Sequence, residues 1–333
     1  MQVFRYLLIV GLLLVFLLPA QATIAAERFK VLVVSSYEED YLWTAEIRAG
    51  IEQTLGGTAE LKFYYMNTKD ELSRGTERAA EAYQLYLKFQ PDGVIAADDN
   101  AQSMFVVPYL RNKVKTPVMF CGVNGDPEHY GYPALNVSGI LERYHFEETL
   151  AFNRQFDEQI KRFVYMGKAG PTADMEELQL NKLITAEKLS VKLVGFLRPE
   201  TRQQALELAR EYREKADLLI VGSLQGVTDE AGKALNEIDV LPEVFRAFNK
   251  PSGAINAYTV RYGALAAVVK SGMEQGKVAA RMLLQAMRGT PLTDLPITRN
   301  YFGTRMINVT TLRQLQLKPP ATALRGAELV RSV

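Results

Sequence analysis

Short apolar runs alternate with helix-length amphipathic segments along most of the chain. The first series of predicted strands and helices comprises strands at 29–34, 61–66, 94–97 and 118–120 and helices at 41–55 and 73–89. Parallel neighbouring strands need helical crossovers between them, and this alternation supplies them. The first half of the chain therefore predicts a doubly wound parallel sheet.

A second series of the same kind follows. It comprises predicted strands at 163–166, 191–196, 218–221 and 251–256 and helices at 174–189, 201–215, 228–248 and 262–287. One open sheet of about ten strands would be unusually long. We therefore predict an α/β fold of two doubly wound parallel-sheet lobes joined by a hinge.

The predicted boundaries place lobe 1 at 27–140, with 257–295 returning to it, and lobe 2 at 141–256, with part of 296–333. Short extended crossings near 139–142, 254–258 and 296–303 would form the hinge. Hinge closure around a ligand is a known way for two lobes to respond to binding.

The N-terminus carries an uninterrupted apolar segment of 12 residues, Leu7–Leu18, after Arg5 and before Ala20-Gln21-Ala22. A transmembrane helix needs about 20 apolar residues, and small residues at alternate positions suit signal peptidase. Residues 1–26 are predicted to be a signal peptide cleaved between 22 and 26, with a retained anchor as the alternative. The mature protein is expected in the periplasm.

Charge and cysteine content exclude several classes of function. The formal net charge is +1, which provides no electrostatic steering toward nucleic acid. The protein is expected to be a monomer. The single cysteine, Cys121, excludes an internal disulfide framework. It follows an apolar strand and is expected to be a small buried residue, with a catalytic thiol as the lesser alternative.

Polar residues follow two neighbouring predicted strands. The strand at 94–97 runs into Asp98, Asp99 and Asn100, and the strand at 118–120 runs into a segment with Gly122 and Asn124. Parallel α/β sheets bind ligands beyond the carboxyl ends of their strands, so these clusters predict a small-molecule cleft. One of the three residues at 98–100 is expected to cap a helix near Ala101, and Asp98 is expected to face the cleft. Asn124 has a turn role as its alternative.

Further candidates lie at other strand ends. From the first lobe they are Ser36, Tyr37 and Trp43, which offer a hydroxyl and flat apolar walls, although Trp43 could instead pack within the core. From the second lobe they are Ser223, Asn256, Tyr258 and Arg261. Arg261 could pair with a ligand carboxylate or be a solvated residue at a helix start.

Catalytic interpretations have little support. The chain has two histidines, His129 and His145, and lacks the nucleophile elbow G-x-S-x-G and a G-x-G-x-x-G after the first strand. No metal ligand spacing is evident, so neither a metal nor a cofactor is expected. The chain is predicted not to be an enzyme, and two-carboxylate chemistry by Asp98 and Asp99 stays open.

Several segments together resemble exported ABC-transporter substrate-binding proteins, in the branch that also serves as the extracellular sensing domain of some histidine kinases. They are VLVVSSYEEDYLWTAEIRAGI at 31–51, YMNTKD at 65–70, PDGVIAADDNA at 91–101, PVMFCGVN at 117–124, RYGALAAVVKSGMEQGKVAARMLLQAMRGTPLTDLPI at 261–297 and MINVTTLRQLQLKPPATALRGAELV at 306–330.

This resemblance implies a type I periplasmic-binding fold that holds a small organic solute between its lobes and delivers it to an ABC permease. The alternative is a ligand-sensing accessory protein for a membrane receptor kinase. Tyr37, Trp43, Tyr258 and Tyr262 favour an amino acid or an aromatic-type compound as the solute.

Overall fold

The computed structural model describes residues 28–69 and 71–332, so the predicted signal peptide at 1–26 lies outside the described residues. Among the described residues, no helix is long and apolar enough to cross a membrane. The strands are β1 (Phe29–Ser35), β2 (Ala59–Tyr65), β3 (Gly93–Ala97), β4 (Val118–Val123), β5 (Val137–Leu141), β6 (Arg162–Met166), β7 (Lys192–Leu197), β8 (Leu218–Val221), β9 (Ser252–Ala254), β10 (Ala266–Val269), β11 (Thr298–Arg299), β12 (Thr304–Asn308) and β13 (Glu328–Val330).

The α-helices are α1 (Leu42–Leu55), α2 (Gly75–Phe89), α3 (Asp98–Ala101), α4 (Phe146–Arg154), α5 (Pro171–Thr185), α6 (Arg202–Tyr212), α7 (Glu237–Phe248), α8 (Ala257–Arg261), α9 (Gly272–Met287), α10 (Val309–Gln314) and α11 (Ala321–Leu324). Helix α3 continues as a π-helix, Gln102–Leu110, and 3₁₀ turns lie at Leu72–Arg74, Pro127–Tyr130 and Leu292–Asp294.

Lobe 1 is built on a parallel sheet with the strand order β11-β5-β4-β3-β1-β2. Strands buried on both faces read as continuous apolar runs, which is why β1, β3 and β4 were visible in the sequence. One face packs under α1 and α9 through residues such as Val33 and Ile95. The other face packs under α2 and the π-helix through residues such as Leu32 and Phe105.

Lobe 2 is built on a second parallel sheet with the order β7-β6-β8-β9. Helices α6 and α7 cover one face and helices α4 and α5 cover the other. A small sheet of order β10-β12-β13 lies beside it, with β10 antiparallel to β12. The predicted fold class, two doubly wound parallel-sheet lobes, is confirmed.

Within the described residues, the chain passes between the lobes three times: after β5, after β10 and after β11. Asn300, in the third crossing, is fully buried and accepts a hydrogen bond from the Arg143 N–H at 2.7 Å. Its side-chain amide donates to the Arg143 carbonyl at 2.9 Å. The Asn300 side chain thus links the third crossing to the backbone of the first.

The prediction that the chain crosses between the lobes at 254–258 is wrong. Val260, Ala264 and Ala267 pack in the apolar core of lobe 2, together with residues of α7. The chain returns to lobe 1 only at Lys270 and Ser271, after β10. Helix α9 then packs on α1 and contributes Leu283 to the lobe 1 core.

Two predicted helices also differ from the structure. The segment 262–287 contains strand β10 before α9. The prediction missed this strand because GALAAVVK, near the start of the segment, is a short buried apolar run that periodicity alone cannot assign to a helix or a strand. In 228–248 only Glu237–Phe248 is helical, and the preceding residues form turns. Cys121 is buried, as predicted.

Helices α1 and α9 approach closely at Gly276. A Cβ built on Gly276 would overlap the carbonyl of Ile47 and lie 3.1 Å from the nitrogen of Ile51. A backbone group cannot move aside as the end of a flexible side chain can. The close approach therefore requires glycine at this position.

We expect Gly276→Ala to lower the free energy of unfolding by about 2 kcal/mol, within the usual range for overpacking a core. Urea unfolding followed by circular dichroism measures this. Gly57→Ala is the matched control, because a Cβ at Gly57 meets nothing within 4 Å. Equal stabilities of the two variants would contradict the proposed helix contact.

Candidate ligand-binding cleft

The register of the lobe 1 sheet aligns the carboxyl ends of three strands. Ser35 pairs with Ala97, and Ala97 pairs with Cys121. The next residues along each strand, Ser36, Asp98 and Gly122, consequently lie at the same edge of the sheet.

Asp98 is the central carboxylate of this edge. It is only 2% exposed and takes a left-handed backbone conformation with φ +69°, which is uncommon outside glycine. The Trp43 indole N–H donates to its Oδ1 at 2.8 Å, while Oδ2 has no hydrogen-bond partner among the described residues. Burial, together with nearby Glu142, raises the pKa of Asp98 well above its ordinary value.

Gly122 gives the Asp98 carboxylate its space. Gly122 has φ +69°, and a Cβ at this position would lie 2.6 Å from Asp98 Oδ1. Its N–H donates to Gln275 Oε1 at 2.9 Å, which fixes the end of β4 against α9.

An ion pair joins the first two crossings beside Asp98. Glu142, which follows β5, accepts a hydrogen bond from the Lys270 ammonium, which follows β10. The ammonium also lies over the Tyr144 ring, 4.5 Å from its centroid, and 5.8 Å from the Trp43 centroid. Burial alone would lower the pKa of Lys270, but Glu142 and Tyr144 together raise it above its ordinary value.

Lobe 2 contributes a second buried carboxylate, Glu176 of α5. It is 1% exposed, accepts a hydrogen bond from the Tyr165 hydroxyl through Oε2, and leaves Oε1 without a partner among the described residues. Burial raises the pKa of Glu176 to about 7. Gly222 at the end of β8 leaves space for this pair, because a Cβ there would lie 2.6 Å from Glu176 Oε2.

Glu237 lies beside this pair at the start of α7. Its Oε1 accepts hydrogen bonds from the Ser223 hydroxyl at 2.8 Å, the Leu224 N–H at 2.8 Å and the Tyr258 hydroxyl at 3.3 Å. Asn256 donates to the Tyr258 hydroxyl at 3.1 Å. Burial, followed by Glu237, raises the pKa of Tyr258.

These groups form one continuous electrostatic cluster across the two lobes. The Lys270 ammonium acts on the pKa of Asp98 in lobe 1 and on that of Glu176 in lobe 2. Burial, then Asp98, Asp99 and Glu142, raises the pKa of Tyr37, which therefore lies in the same cluster. We call this region the interlobe cleft; it contains Tyr37, Trp43, Asp98, Gly122, Glu142, Tyr144, Glu176, Ser223, Glu237, Asn256, Tyr258 and Lys270.

Several predicted ligand residues form hydrogen bonds within the protein. The Ser36 hydroxyl donates to the Ala97 carbonyl at 2.7 Å and accepts from the Ala101 N–H at 2.8 Å, so it secures the start of α3. Asn100 donates to Thr68 Oγ1 at 2.9 Å. The Asn124 side chain donates to the Gly122 carbonyl at 3.4 Å, and its buried Oδ1 has no hydrogen-bond partner among the described residues.

Asp99 and Arg261 have clear structural roles. The Asp99 carboxylate accepts hydrogen bonds from the N–H groups of Asn124 and Gly125, each at 3.0 Å, and from the Tyr130 hydroxyl at 2.6 Å. Arg261 pairs with Glu328 of β13 at 2.7 Å, with about half of its side chain exposed. Its predicted place in the cleft is wrong, because α8 packs in lobe 2 with Arg261 on its outer side. The expected helix cap at 98–100 is also wrong, since α3 begins at Asp98 without a side-chain cap.

Sequence reasoning missed Glu142, Tyr144, Glu176, Glu237 and Lys270. The last three lie inside segments predicted as helices, where a charged residue usually faces solvent. Glu142 and Tyr144 follow β5, so the rule that sites lie beyond strand ends could have found them if 137–141 had been predicted as a strand. Among the described residues, no group of three or more His, Cys, Asp or Glu is arranged to hold a metal ion.

The fold and the cleft residues define the class of protein: two α/β lobes, with polar and aromatic groups from both lobes and their crossings in one electrostatic cluster. The sequence matches the family model described as ABC transporter substrate binding protein over residues 113–330. The chain belongs to this family, whose members are binding proteins that act outside the cell or in the periplasm. A comparison with curated proteins found no match.

Solved structures share this fold at low sequence identity. A ligand-free, open substrate-binding protein with adhesive properties from Clostridium difficile is 17% identical, with a TM-score of 0.70 over 92% of this chain and 100% of that one. An ABC domain in complex with L-Trp from Streptococcus pneumonia is also 17% identical, with a TM-score of 0.56 over 91% of this chain and 100% of that one. A conserved domain protein from Vibrio cholerae is 18% identical, with a TM-score of 0.57 over 92% and 100%.

Proposed function

We propose that this protein is exported, captures a small organic solute in the interlobe cleft and delivers it to an ABC permease. The observation that carries the proposal is the convergence of buried polar groups on one cleft from both lobes. Asp98 comes from lobe 1, Glu176 from lobe 2, and Glu142 and Lys270 from the crossings between them. The family match over 113–330 supports the transport context.

Ligand binding would act by closing the lobes. A ligand shifts an open–closed equilibrium only by its difference in affinity for the two states. Contacts to Asp98 and Trp43 alone would leave that equilibrium unchanged, so closure needs additional contacts to Glu176 or Tyr258 of lobe 2. The closed form would then dock on the permease.

The cleft favours a solute with a flat apolar part and a polar group, such as an amino acid or an aromatic-type compound. Trp43, Tyr144 and Tyr258 offer ring faces, and aromatic pairs add about 0.5–1.5 kcal/mol beyond the burial of apolar area. The Streptococcus pneumonia structure of similar fold holds L-Trp. This is a ligand of the chemical class proposed here.

The geometry does not favour the alternative of an enzyme that uses Asp98 and Asp99 together. Both oxygens of Asp99 are engaged by backbone N–H groups, and Tyr130 adds a further hydrogen bond. Asp98 points instead to Trp43. The two neighbouring acids therefore face different surroundings and do not form an acid–base pair.

Trp43 provides a direct test of solute binding, because it is the single tryptophan of the chain and lies in the cleft. We expect a solute that enters the cleft to change the intensity or wavelength of the Trp43 emission, and to be recovered chemically unchanged. A Trp43→Phe variant should lose this signal while calorimetry still detects heat of binding. If a panel of amino acids and aromatic amines gives neither fluorescence change nor heat, the proposal fails.

Delivery is tested separately in cells. Deleting the gene should abolish high-affinity uptake of the labelled solute, and a plasmid copy should restore it. Unchanged uptake together with a lost transcriptional response to the solute would instead identify a sensory accessory protein.

A further inference from the structure

Acidic side chains outnumber basic ones in the interlobe cleft. Asp98, Glu142, Glu176 and Glu237 contribute carboxylates, whereas Lys270 is the cation among them. Burial has a cost for each of these acids, because a buried charge is stable only when it is paired or well hydrogen-bonded. The cleft therefore holds more acid groups than its own cation can compensate.

Other cations near the cleft are engaged elsewhere. The Arg143 guanidinium donates to the carbonyls of Val123 and Asn124, at 3.1 and 3.0 Å. Arg198 pairs with Asp174 and Glu177 on the outer side of α5. Lys69 lies over the Tyr37 ring, 4.9 Å from its centroid, and donates to the Tyr41 hydroxyl at 2.9 Å. Among these cations of the described residues, Lys270 is the one that forms an ion pair with a carboxylate of the cleft, and that carboxylate is Glu142.

Within the interlobe cleft, two buried carboxylate oxygens, one from each lobe, have no hydrogen-bond partner among the described residues. They are Asp98 Oδ2 and Glu176 Oε1, on side chains that are 2% and 1% exposed. An unsatisfied buried acceptor costs about 1–3 kcal/mol and more when it is charged. A protonated primary amine carries three N–H donors and no acceptor, which matches this requirement.

Lys270 shows that the cleft accommodates an ammonium group. Its Nζ lies over the face of Tyr144 at 4.5 Å and near Trp43 at 5.8 Å, both within the range of about 6 Å for cation–π attraction. A ligand ammonium beside Asp98 Oδ2 would meet the Trp43 ring in a similar way. The chain thus supplies an internal example of the group that it would bind.

We propose that the solute is an organic cation: a protonated amine joined to a flat apolar group, without a carboxylate of its own. This inference rests on the proposed function and narrows it. The ammonium binds the unpartnered oxygens of both Asp98 and Glu176, and the flat group lies against Trp43 and Tyr144. A zwitterionic amino acid brings a carboxylate into a cleft that already has excess acid, so it binds more weakly than the matching amine.

Matched ligand pairs test this directly. Calorimetry on the mature protein at pH 8 compares tyramine with L-tyrosine and tryptamine with L-tryptophan, which differ only by the carboxylate. We expect each amine to bind at least about tenfold more tightly than its amino acid. Tighter or equal binding of the amino acids overturns the organic-cation inference and leaves the proposed solute-binding function standing. Failure of all four to bind also overturns it, and the fluorescence panel then decides the proposed function.

Variants locate the site. Asp98→Asn and Glu176→Gln should each weaken tyramine binding by about tenfold or more, since each keeps the shape and removes the charge. Glu328→Gln is the control, because that carboxylate pairs with Arg261 on the outer surface. Circular dichroism and melting curves establish that every variant is folded. Equal tyramine affinity in Asp98→Asn, Glu176→Gln and the control would overturn the inference.

Discussion

Replacing Lys270 by methionine is expected to lower the free energy of unfolding by about 3 kcal/mol at neutral pH. The reason lies in Glu142, which is 3% exposed and has the Lys270 ammonium as its charged partner. Removing one member of a buried ion pair leaves the other charge unpaired in a poorly solvated place. Methionine keeps most of the length of the side chain, so the loss of stability comes mainly from the missing positive charge. Urea unfolding at pH 7 measures it.

A double variant separates the charge effect from packing. In Lys270→Met with Glu142→Gln, neither charge remains, and we expect most of the lost stability to return. Replacing a buried pair by neutral groups is often nearly neutral in stability. If the double variant is as unstable as the sum of the two single variants, the ion pair between the crossings does not contribute as described.

Replacing Glu176 by glutamine is expected to do the opposite and raise the free energy of unfolding of the ligand-free protein by about 3 kcal/mol at pH 8. Burial raises the pKa of Glu176 to about 7 in the folded protein, against about 4.5 when unfolded. Each unit of pKa difference corresponds to about 1.4 kcal/mol. Glutamine keeps an oxygen that can accept the Tyr165 hydroxyl hydrogen bond.

The pH dependence gives the sign of this effect. A carboxyl group with a raised pKa holds its proton more tightly in the folded state, so its contribution is fully favourable below about pH 4.5 and is lost as pH rises through 7. The stability difference between Glu176→Gln and the unmodified protein should therefore be small at pH 4.5 and largest above pH 7. Thermal melts over this range measure it.

Glu177→Gln is the matched control for this prediction. Glu177 is the next residue of α5, is one-third exposed and pairs with Arg198 at the surface. Surface ion pairs contribute about 0–1 kcal/mol, so this variant should be equal to the unmodified protein or slightly less stable. A Glu176→Gln protein that is less stable than Glu177→Gln at pH 8 would show that Glu176 is held mainly by its hydrogen bond.

Taken with the binding test, Glu176→Gln should gain stability and lose affinity for an amine. A residue retained only for folding would not show opposite signs in the two measurements. A buried functional group does show opposite signs, because the free energy lost by burying it is regained only when the ligand binds.

The chain order of strands and helices in lobe 1 was predictable because its central strands, β1, β3 and β4, are buried on both faces. Runs such as 31–34 and 94–97 are continuous in apolar residues, and polar residues follow where the strands leave the core. That local pattern was also enough to predict that Asp98 and Gly122 follow strand ends. Their contact required the register of β3 and β4 as well.

The fold class, the alternation of its elements and the strand ends at which a ligand could lie were predictable, since these depend on residues close together in the chain. Which polar groups meet was not, because it depends on contacts between residues far apart in the chain. Lys270 reaches Glu142 across 128 positions of the sequence, and α5 brings Glu176 to Tyr165 of β6. Those contacts depend on where the crossings lie and how the lobes pack, and electrostatic interactions between residues distant in sequence leave no local pattern to detect.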